Sequence, residues 1–167
     1  MGGNVVGMVR KLNALEKAAT RIAASKAGAW FFIHVTAKVD PMLLKASKGR
    51  ISSMVGQPVL LLKHRGARSG KARETPLVYA IDGTTVVLIA SMGGSPTNPA
   101  WFHNLTVHPD CEIIAKGRTG RYRARTAQGT ERDRLWSLAT DVYAGYDVYQ
   151  ARTGGRVIPV VVLEPVV

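Results

Sequence analysis

Residues 59–90 read VLLLKHRGARSGKARETPLVYAIDGTTVVLIA, which is three apolar runs separated by two stretches of turn-forming residues. The run at 59–63 is typical of a buried strand, because it is short and bounded by a proline and a glycine-containing loop. The runs at 75–81 and 85–90 flank Asp82-Gly83, a pair that predicts a two-residue hairpin turn. This stretch therefore predicts three consecutive antiparallel strands.

The rest of the chain extends this pattern. A second hairpin is predicted from residues 112–115 and 122–126, and a final apolar strand from residues 157–164. Short helices are predicted at 99–107 and 131–143. Because hairpins rather than regular strand–helix–strand crossovers dominate, the pattern favours an α+β fold that is mainly antiparallel and built on a small β-barrel.

Helical patterns characterise the N-terminal third. Apolar residues at helical spacing predict a helix over residues 4–26. Asp40-Pro41 is typical of an N-cap followed by proline at the first helical position, so a second, short helix is predicted to begin there and to end near Gly49. We therefore divide the chain into an N-terminal helical arm, residues 1–49, and a barrel domain, residues 50–167.

The composition excludes several classes of protein. With 167 residues, 46% of them hydrophobic, the chain suits one domain with a buried core and is not a disordered chain. Its apolar runs are shorter than the ~18 residues of a transmembrane helix, and the N-terminus lacks the pattern of a secretory signal. Cys111 is the single cysteine, which excludes a disulfide framework within the chain and favours a reducing compartment. We expect a cytoplasmic protein.

The charge is strongly unbalanced. The formal net charge is +12, from 23 Lys and Arg against 11 Asp and Glu, so an acidic partner is expected. Residues 1–56 carry +7 and residues 57–80 carry +4. The first zone is spread along the helical arm, whereas the second is concentrated in the loop between the first two strands.

The loop from His64 to Pro76 combines two glycines with four cationic side chains and a serine. Glycine lets the backbone approach a ligand closely, and arginine, lysine and backbone N–H groups are donors that bind phosphate or carboxylate. The loop is not a Walker A motif, because only three residues separate Gly66 from Gly70 and Lys71 precedes Ala72. It is either an anion site or a solvated basic hairpin loop.

The segment 90–104 contains a second glycine pair, Gly93-Gly94, followed by Asn98-Pro99, which predicts the start of a helix. The N-terminus of that helix offers free N–H groups to an acceptor. Trp101 offers a flat surface for a ring; alternatively, Trp101 and Leu105, four residues apart, are both core residues.

Tyr143, Tyr146 and Tyr149 recur every third residue and span an arc of about 120° on a helix. They are either the wall of a pocket, where they stack and donate hydrogen bonds, or amphipathic side chains at the edge of the core. The possible metal ligands nearest to one another do not share a helix face, so no metal site is predicted; these ligands are His103, His108 and Cys111.

Five segments occur in an order that resembles the deazaflavin-dependent nitroreductase and quinone reductase family of actinobacteria and mycobacteria, whose members use reduced coenzyme F420. These segments are RGARSGKARETPL (65–77), ASMGG (90–94), NPAWFHNL (98–105), YAGYDVYQ (143–150) and IPVV (158–161). The resemblance covers about residues 50–165 and implies a split β-barrel related to the flavin-mononucleotide-binding oxidases. It also implies an oxidoreductase that transfers a hydride to an electron-poor small molecule, namely a quinone, an activated enone or a nitro compound.

The resemblance also implies roles for individual residues. The phosphate and the oligoglutamate tail of the cofactor would contact Ala67, Arg68, Ser69, Lys71, Arg73, Glu74, Thr75, Pro76 and Leu77. The deazaflavin ring would be lined by Ile89, Ala90, Ser91, Met92, Ala100, Trp101, Phe102, His103 and Asn104. Tyr143, Tyr146 and Tyr149 would lie near the substrate, with Tyr146 orienting or protonating it and Ser91 as a hydroxyl partner.

Two other functions compete with this one. A nucleic-acid-binding module would use the net charge and the arginines at 121, 123 and 125, which share one strand face. Aromatic residues are not interleaved with the basic loop as stacking platforms, so no nucleic-acid partner is predicted. A reductase that binds flavin mononucleotide, or a haem protein, on the same barrel is the second alternative.

The charge of the arm has a separate interpretation. Residues 4–35 are basic and amphipathic, and we hypothesise that they rest on an anionic membrane surface, close to lipid quinones. The alternative is a helix that packs on the barrel or on a second copy of the chain in a homodimer.

Overall fold

The computed structural model describes residues 37–54 and 56–166. The helices are α1 (Ala37–Ala46), α2 (Ala100–Val107), α3 (Gly129–Val142) and α4 (Gly145–Arg152). The strands are β1 (Val59–Arg65), β2 (Ala72–Asp82), β3 (Thr85–Ile89), β4 (Asp110–Ile114), β5 (Gly120–Thr126) and β6 (Val160–Pro165), and a 3-10 turn spans Met92–Gly94. None of the helices in these two ranges has the length and apolar character needed to cross a membrane.

The strands close into one barrel in the order β1-β2-β3-β6-β5-β4. Every neighbouring pair is antiparallel, including β1 with β4, the pair that closes the barrel. The predicted antiparallel barrel is therefore confirmed. β6 lies between β3 and β5, and this position cannot be read from hairpin signals because β6 is not joined to either strand by a tight turn.

β1 and β6 are buried on both faces, which explains why each is an apolar run rather than an alternating sequence. Inside the barrel, Leu60 of β1 belongs to the same cluster as Leu163 of β6. On the outside, Leu61 packs with Leu44 of α1, and Val160 lies in the cluster covered by α3 and α4. The helices thus cover the second apolar face of these two strands.

The prediction that Asp40-Pro41 begins a helix is wrong. α1 includes Ala37, and Pro41 lies inside it. Asp40 is fully buried, and its Oδ1 accepts a hydrogen bond from Ser53 N–H at 2.7 Å, so it ties α1 to the segment that leads into β1. The helix predicted over residues 4–26 lies outside the described residues.

The first hairpin turns one residue later than predicted. Asp82 pairs with Thr85, which leaves Gly83-Thr84 as the two-residue loop. Gly83 has φ +59°, a left-handed conformation that glycine adopts without steric cost. The flanking strands are the predicted ones, so the shift leaves the barrel unchanged.

Two helix ends also differ from prediction. Pro99, rather than Asn98, is the N-cap of α2. α3 ends at Val142 and α4 begins at Gly145, so Tyr143 lies between two helices and the three tyrosines do not share one continuous helix. The proposed role of these tyrosines therefore depends on tertiary packing rather than on helical spacing.

Candidate functional site

The loop between β1 and β2 is folded by its own backbone. Gly66 N–H donates to Lys71 O at 2.9 Å, and Gly70 N–H donates to Gly66 O at 2.8 Å. Gly70 has φ +64°, a conformation that favours glycine, and a Cβ at position 66 would lie 2.6 Å from Ser69 Oγ, so that side chain would have to move. Within the described ranges, the N–H groups of Arg68 and Ser69 bond to no acceptor, which leaves them available to an anion.

The charged side chains around this loop are arranged asymmetrically. Glu74, the single acid of the region, forms an ion pair with Lys45 of α1 at 2.6 Å. The cations are exposed, and they are Arg65, Arg68, Lys71 and Arg73. Thr75, Pro76 and Leu77 are half-buried where β2 enters the barrel. Exposed cations around unbonded N–H groups suit a ligand with several negative charges.

A chain of side-chain hydrogen bonds joins the loop to α2 and to β2. Ala67 N–H donates to Asn104 Oδ1 at 2.8 Å. Asn104 Nδ2 lies 3.2 Å from Nδ1 of His64, and His64 Nε2 lies 3.1 Å from Thr75 Oγ1. His64 is buried, and burial lowers its pKa. The sequence pattern does not single out His64, because a histidine inside an apolar strand carries no local signal of its partners.

The segment after β3 turns sharply beside α4. Ile89 and Ala90 are buried, whereas Met92 is 42% exposed and has φ +49°, a strained conformation for a residue with a side chain. Gly94 has φ +83°, and a Cβ there would lie 2.7 Å from Tyr149 O. The segment that is predicted to line a ring therefore contacts the tyrosine-bearing helix backbone to backbone.

Arg156 holds the same segment in place. Its guanidinium donates five hydrogen bonds of 2.6–3.3 Å to neutral oxygens, namely the carbonyls of Ala90, Ser91 and Ser95 and Oδ1 of Asn98. Burial lowers its pKa. Ser91 is half-buried at the start of the turn. Sequence reasoning missed Arg156, because its partners lie far away along the chain and an arginine in a loop is usually solvated.

α2 contributes one face to the core and another to the surface. Trp101 is 6% exposed and packs with Leu105 in the barrel cluster, which is the core alternative considered for this pair. Trp101 thus presents no open flat surface. Along the rest of the helix, Ala100 and His103 are exposed, and Phe102 and Asn104 are half-buried.

The three tyrosines meet in a buried cluster. Ring centroids of Tyr143, Tyr146 and Tyr149 are 5.1–6.4 Å apart. The hydroxyls of Tyr143 and Tyr149 share a hydrogen bond of 3.0 Å, whereas the Tyr146 hydroxyl has no hydrogen-bond partner among the described residues. Burial raises the pKa of all three, so they are protonated at neutral pH. Gly145 permits this packing, because a Cβ there would overlap the Tyr143 ring.

The arginine face of β5 is largely neutralised. Arg123 lies 3.5 Å from Asp110, and Arg125 is bound by Glu131 and by Glu164, each at 2.7 Å. A row of free cations, as binding to a nucleic-acid backbone requires, is therefore not present on this strand. Among residues 37–54 and 56–166, no three His, Cys, Asp or Glu side chains are grouped to hold a metal ion.

Known proteins resemble the chain over most of its length. The model of the F420H(2)-dependent quinone reductase family matches residues 38–165. An F420H(2)-dependent quinone reductase of Mycobacterium tuberculosis is 37% identical over 142 residues, 80% of this chain and 95% of that protein. A solved structure of an F420-H2-dependent reductase, FDR-A, is 34% identical with a TM-score of 0.60, covering 64% of this chain and 94% of that one.

A second solved structure, described as a domain-swapped dimer, is 33% identical with a TM-score of 0.60 and covers 66% of this chain and 82% of that one. The residues matched by the family model include all six strands and all five segments on which the resemblance rests. The predicted family and the predicted barrel are therefore both confirmed. The chain belongs to the F420H(2)-dependent quinone reductase family, a family of oxidoreductases.

Proposed function

We propose that this protein transfers a hydride from reduced coenzyme F420 to a quinone. The observation that carries the proposal is that the family segments, far apart in sequence, are joined by direct contacts. The β1–β2 loop bonds to α2, Arg156 bonds to the segment that leads into α2, and Gly94 packs on α4. The cofactor supplies the hydride when bound, and the chain supplies anchoring, orientation and a proton donor.

The β1–β2 loop fits the anionic part of this cofactor. The unbonded N–H groups of Arg68 and Ser69 and the cations Arg68, Lys71 and Arg73 would hold the phosphate and the oligoglutamate tail. The ion pair of Glu74 with Lys45 removes the one carboxylate that would repel them. The +4 charge of residues 57–80 is thereby accounted for without a nucleic acid.

The segment Ile89–Met92 and helix residues Ala100–Asn104 would form the wall beside the deazaflavin ring, with the buried Trp101 packed behind its surface. Arg156 fixes the carbonyls of Ala90 and Ser91, so this wall is organised before any ligand binds. The buried residues of the wall keep water away from one side of the ring.

Tyr146 is the residue we assign to the acceptor. A quinone that receives a hydride also needs a proton on oxygen, and a positioned phenol donates a hydrogen bond or that proton. The Tyr146 hydroxyl has no partner among the described residues, and like any phenol it is protonated at neutral pH, while burial raises its pKa further. Tyr143 and Tyr149 bond to each other, and the Tyr146 ring packs against both, while Ser91 is the second hydroxyl we assign to the substrate.

The test is turnover with reduced coenzyme F420 against a panel that contains menaquinone, an activated enone and a nitroimidazole. We expect the quinone to be reduced fastest. Reduction of none of the acceptors would contradict the proposal. Binding of flavin mononucleotide without binding of F420 would favour the flavin alternative, and salt-sensitive DNA affinity without F420 binding would favour the nucleic-acid alternative.

We further propose that the enzyme is cytoplasmic, that it forms a homodimer and that residues 4–35 contact anionic membrane. The domain-swapped structure among its relatives supports the dimer, and the charge of the arm supports the membrane contact. Light scattering of the full chain tests the homodimer, and a monomer would contradict it. Sedimentation with anionic vesicles, before and after deletion of residues 1–35, tests the membrane contact. Unchanged vesicle binding after the deletion would show that the arm does not make this contact.

A further inference from the structure

The hydrogen-bond chain from Ala67 to Thr75 has a direction that its first donor determines. A backbone N–H only donates, so the Ala67 N–H makes Asn104 Oδ1 the acceptor. The other end of that amide, Nδ2, is then a donor toward His64 Nδ1, 3.2 Å away. For His64 Nδ1 to accept this bond it must be unprotonated, and the neutral ring then carries its proton on Nε2.

Thr75 ends this chain. His64 Nε2–H donates to Thr75 Oγ1 at 3.1 Å, so the hydroxyl hydrogen of Thr75 is directed to another acceptor. Among the described residues, this hydroxyl forms no hydrogen bond other than the one with His64. Thr75 lies two residues after the exposed Arg73 on β2 and shares its strand face. A free hydroxyl donor beside an exposed cation is an arrangement that binds an anionic oxygen.

We propose that His64 is a positioning residue for the anionic part of the cofactor. It holds Asn104 against the β1–β2 loop, and it leaves the Thr75 hydroxyl free to donate to a phosphate or carboxylate oxygen. His64 touches no ligand in this scheme and acts through its two neighbours. The inference rests on the proposed function, because that function supplies the anionic ligand.

The groups around His64 favour the neutral ring that this role requires. Burial is the largest cause that lowers its pKa; a hydrogen bond with the Arg65 backbone opposes this, and the positive charge of Arg73, opposite His64 on β2, adds to it. From α2, the neutral amide of Asn104 faces the ring. Glu112 of β4 forms an ion pair with Lys63 at 3.6 Å. Protonation of His64 at Nδ1 would place its N–H donor against the Nδ2 donor of Asn104. The contact is therefore present above the lowered pKa and lost as pH falls through it.

Substitutions at His64 separate the hydrogen bond to Asn104 from the hydrogen bond to Thr75. His64→Asn keeps an acceptor near the Nδ1 position but has no donor for Thr75, whereas His64→Gln keeps a donor near Nε2 but has no acceptor for Asn104. Thr75→Val removes the hydroxyl at nearly constant volume. His108→Asn, at the C-terminal end of α2, is the matched histidine control.

The first measurements use the free protein. Nitrogen NMR of the imidazole is expected to show the Nε2–H tautomer of His64. Hydrogen exchange of the Ala67 amide is expected to stay slow in His64→Asn and to become fast in His64→Gln. A proton on Nδ1 in the wild type would overturn the proposal even if every variant failed to fold.

The second measurement is calorimetric titration with oxidised coenzyme F420. His64→Asn and Thr75→Val are each expected to raise Kd about three- to tenfold, the effect of one hydrogen bond. The double variant is expected to lose no more than either single variant, because His64→Asn acts on the ligand only through the Thr75 hydroxyl, which Thr75→Val removes. The wild-type Kd is expected to rise as pH falls through the lowered pKa of His64, and this step should be absent in His64→Asn. His108→Asn is expected to match the wild type.

The outcomes distinguish the two proposals. A wild-type protein that does not bind F420 contradicts the proposed function itself. The role of His64 alone is contradicted if the wild type binds F420 and the folded His64 and Thr75 variants have an unchanged Kd. Fully additive losses in the double variant would contradict it as well.

Discussion

The β1–β2 loop and the tyrosine cluster are two parts of the proposed site with opposite physical character. The loop is exposed and cationic, and backbone hydrogen bonds fold it, whereas the cluster is buried and neutral and is organised by ring packing. Exposed charges act through water and are screened by salt, so substitutions in the loop should change ligand affinity more than stability. The tyrosines belong to the core, so most substitutions there should change both.

The largest expected effect comes from Gly94, which joins the ring-lining segment to the tyrosine helix. Gly94→Ala would place Cβ 2.7 Å from Tyr149 O and 2.9 Å from Arg152 Cβ, on a backbone with φ +83°. We expect the unfolding free energy to fall by about 3 kcal/mol and turnover to be nearly abolished. Gly154→Ala is the matched control, because φ there is +70° but nothing lies within 4 Å of its Cβ. Equal stability losses in denaturant melts would show that backbone strain, not the contact with α4, is responsible.

The next largest effect is expected inside the tyrosine cluster, where Tyr146 should affect turnover and Tyr143 should affect stability. Tyr146→Phe removes a hydroxyl without a partner among the described residues, so kcat is expected to fall about 100-fold while stability and F420 affinity change little. Tyr143→Phe breaks the 3.0 Å bond to Tyr149 and is expected to cost about 1 kcal/mol of stability. Steady-state kinetics and thermal melts of both variants make the comparison. Equal loss of affinity and turnover in Tyr146→Phe would contradict its role.

A smaller effect is expected at Arg156, which supports the segment between β3 and α2. Arg156→Lys keeps the charge but cannot reach all of its oxygen partners, so we expect a loss of about 2 kcal/mol in unfolding free energy. Arg134→Lys, at an exposed ion pair with Asp82, is the control and should have little effect. Indistinguishable denaturation midpoints for the two variants would show that the hydrogen bonds of Arg156 do not hold the segment.

The smallest effect is expected in the loop. Arg68→Gln should raise the Kd for F420 about three- to fivefold at low salt, with a smaller ratio at high salt and unchanged thermal stability. Arg121→Gln, an exposed arginine on β5, provides the charge-matched control. Calorimetry at two salt concentrations measures this Kd. A loss of affinity that does not depend on salt, or one of the same size in Arg121→Gln, would contradict direct binding of an anion by Arg68.

Sequence reasoning succeeded where the signals are local. The apolar runs predicted the strands of the barrel, and a glycine after Asp82 predicted the first hairpin to within one residue. It failed at Asp40, because the helix already includes Ala37, so Asp40 lies inside the helix and bonds to a distant backbone N–H instead of capping the helix start. Ser53, 13 residues away, provides that N–H.

The candidate site shows the same division. The loop, the glycine pair and the three tyrosines were predicted, since each is a short motif with a characteristic composition. Arg156 and His64 were missed, because the side chains they bond, Asn98 and Asn104, lie 58 and 40 residues away along the chain. No local pattern encodes a partner at that distance.

The amino-acid sequence by itself determined the strands, the excess charge of the β1–β2 loop and the membership in the reductase family, because periodicity, charge and motif order are properties of neighbouring residues. Only the tertiary structure decided that β6 lies between β3 and β5, that Trp101 is a core residue and that the Tyr146 hydroxyl bonds to none of the described residues. The physical reason is that burial and side-chain hydrogen bonds between distant segments exist only after the barrel has closed and brought those segments together.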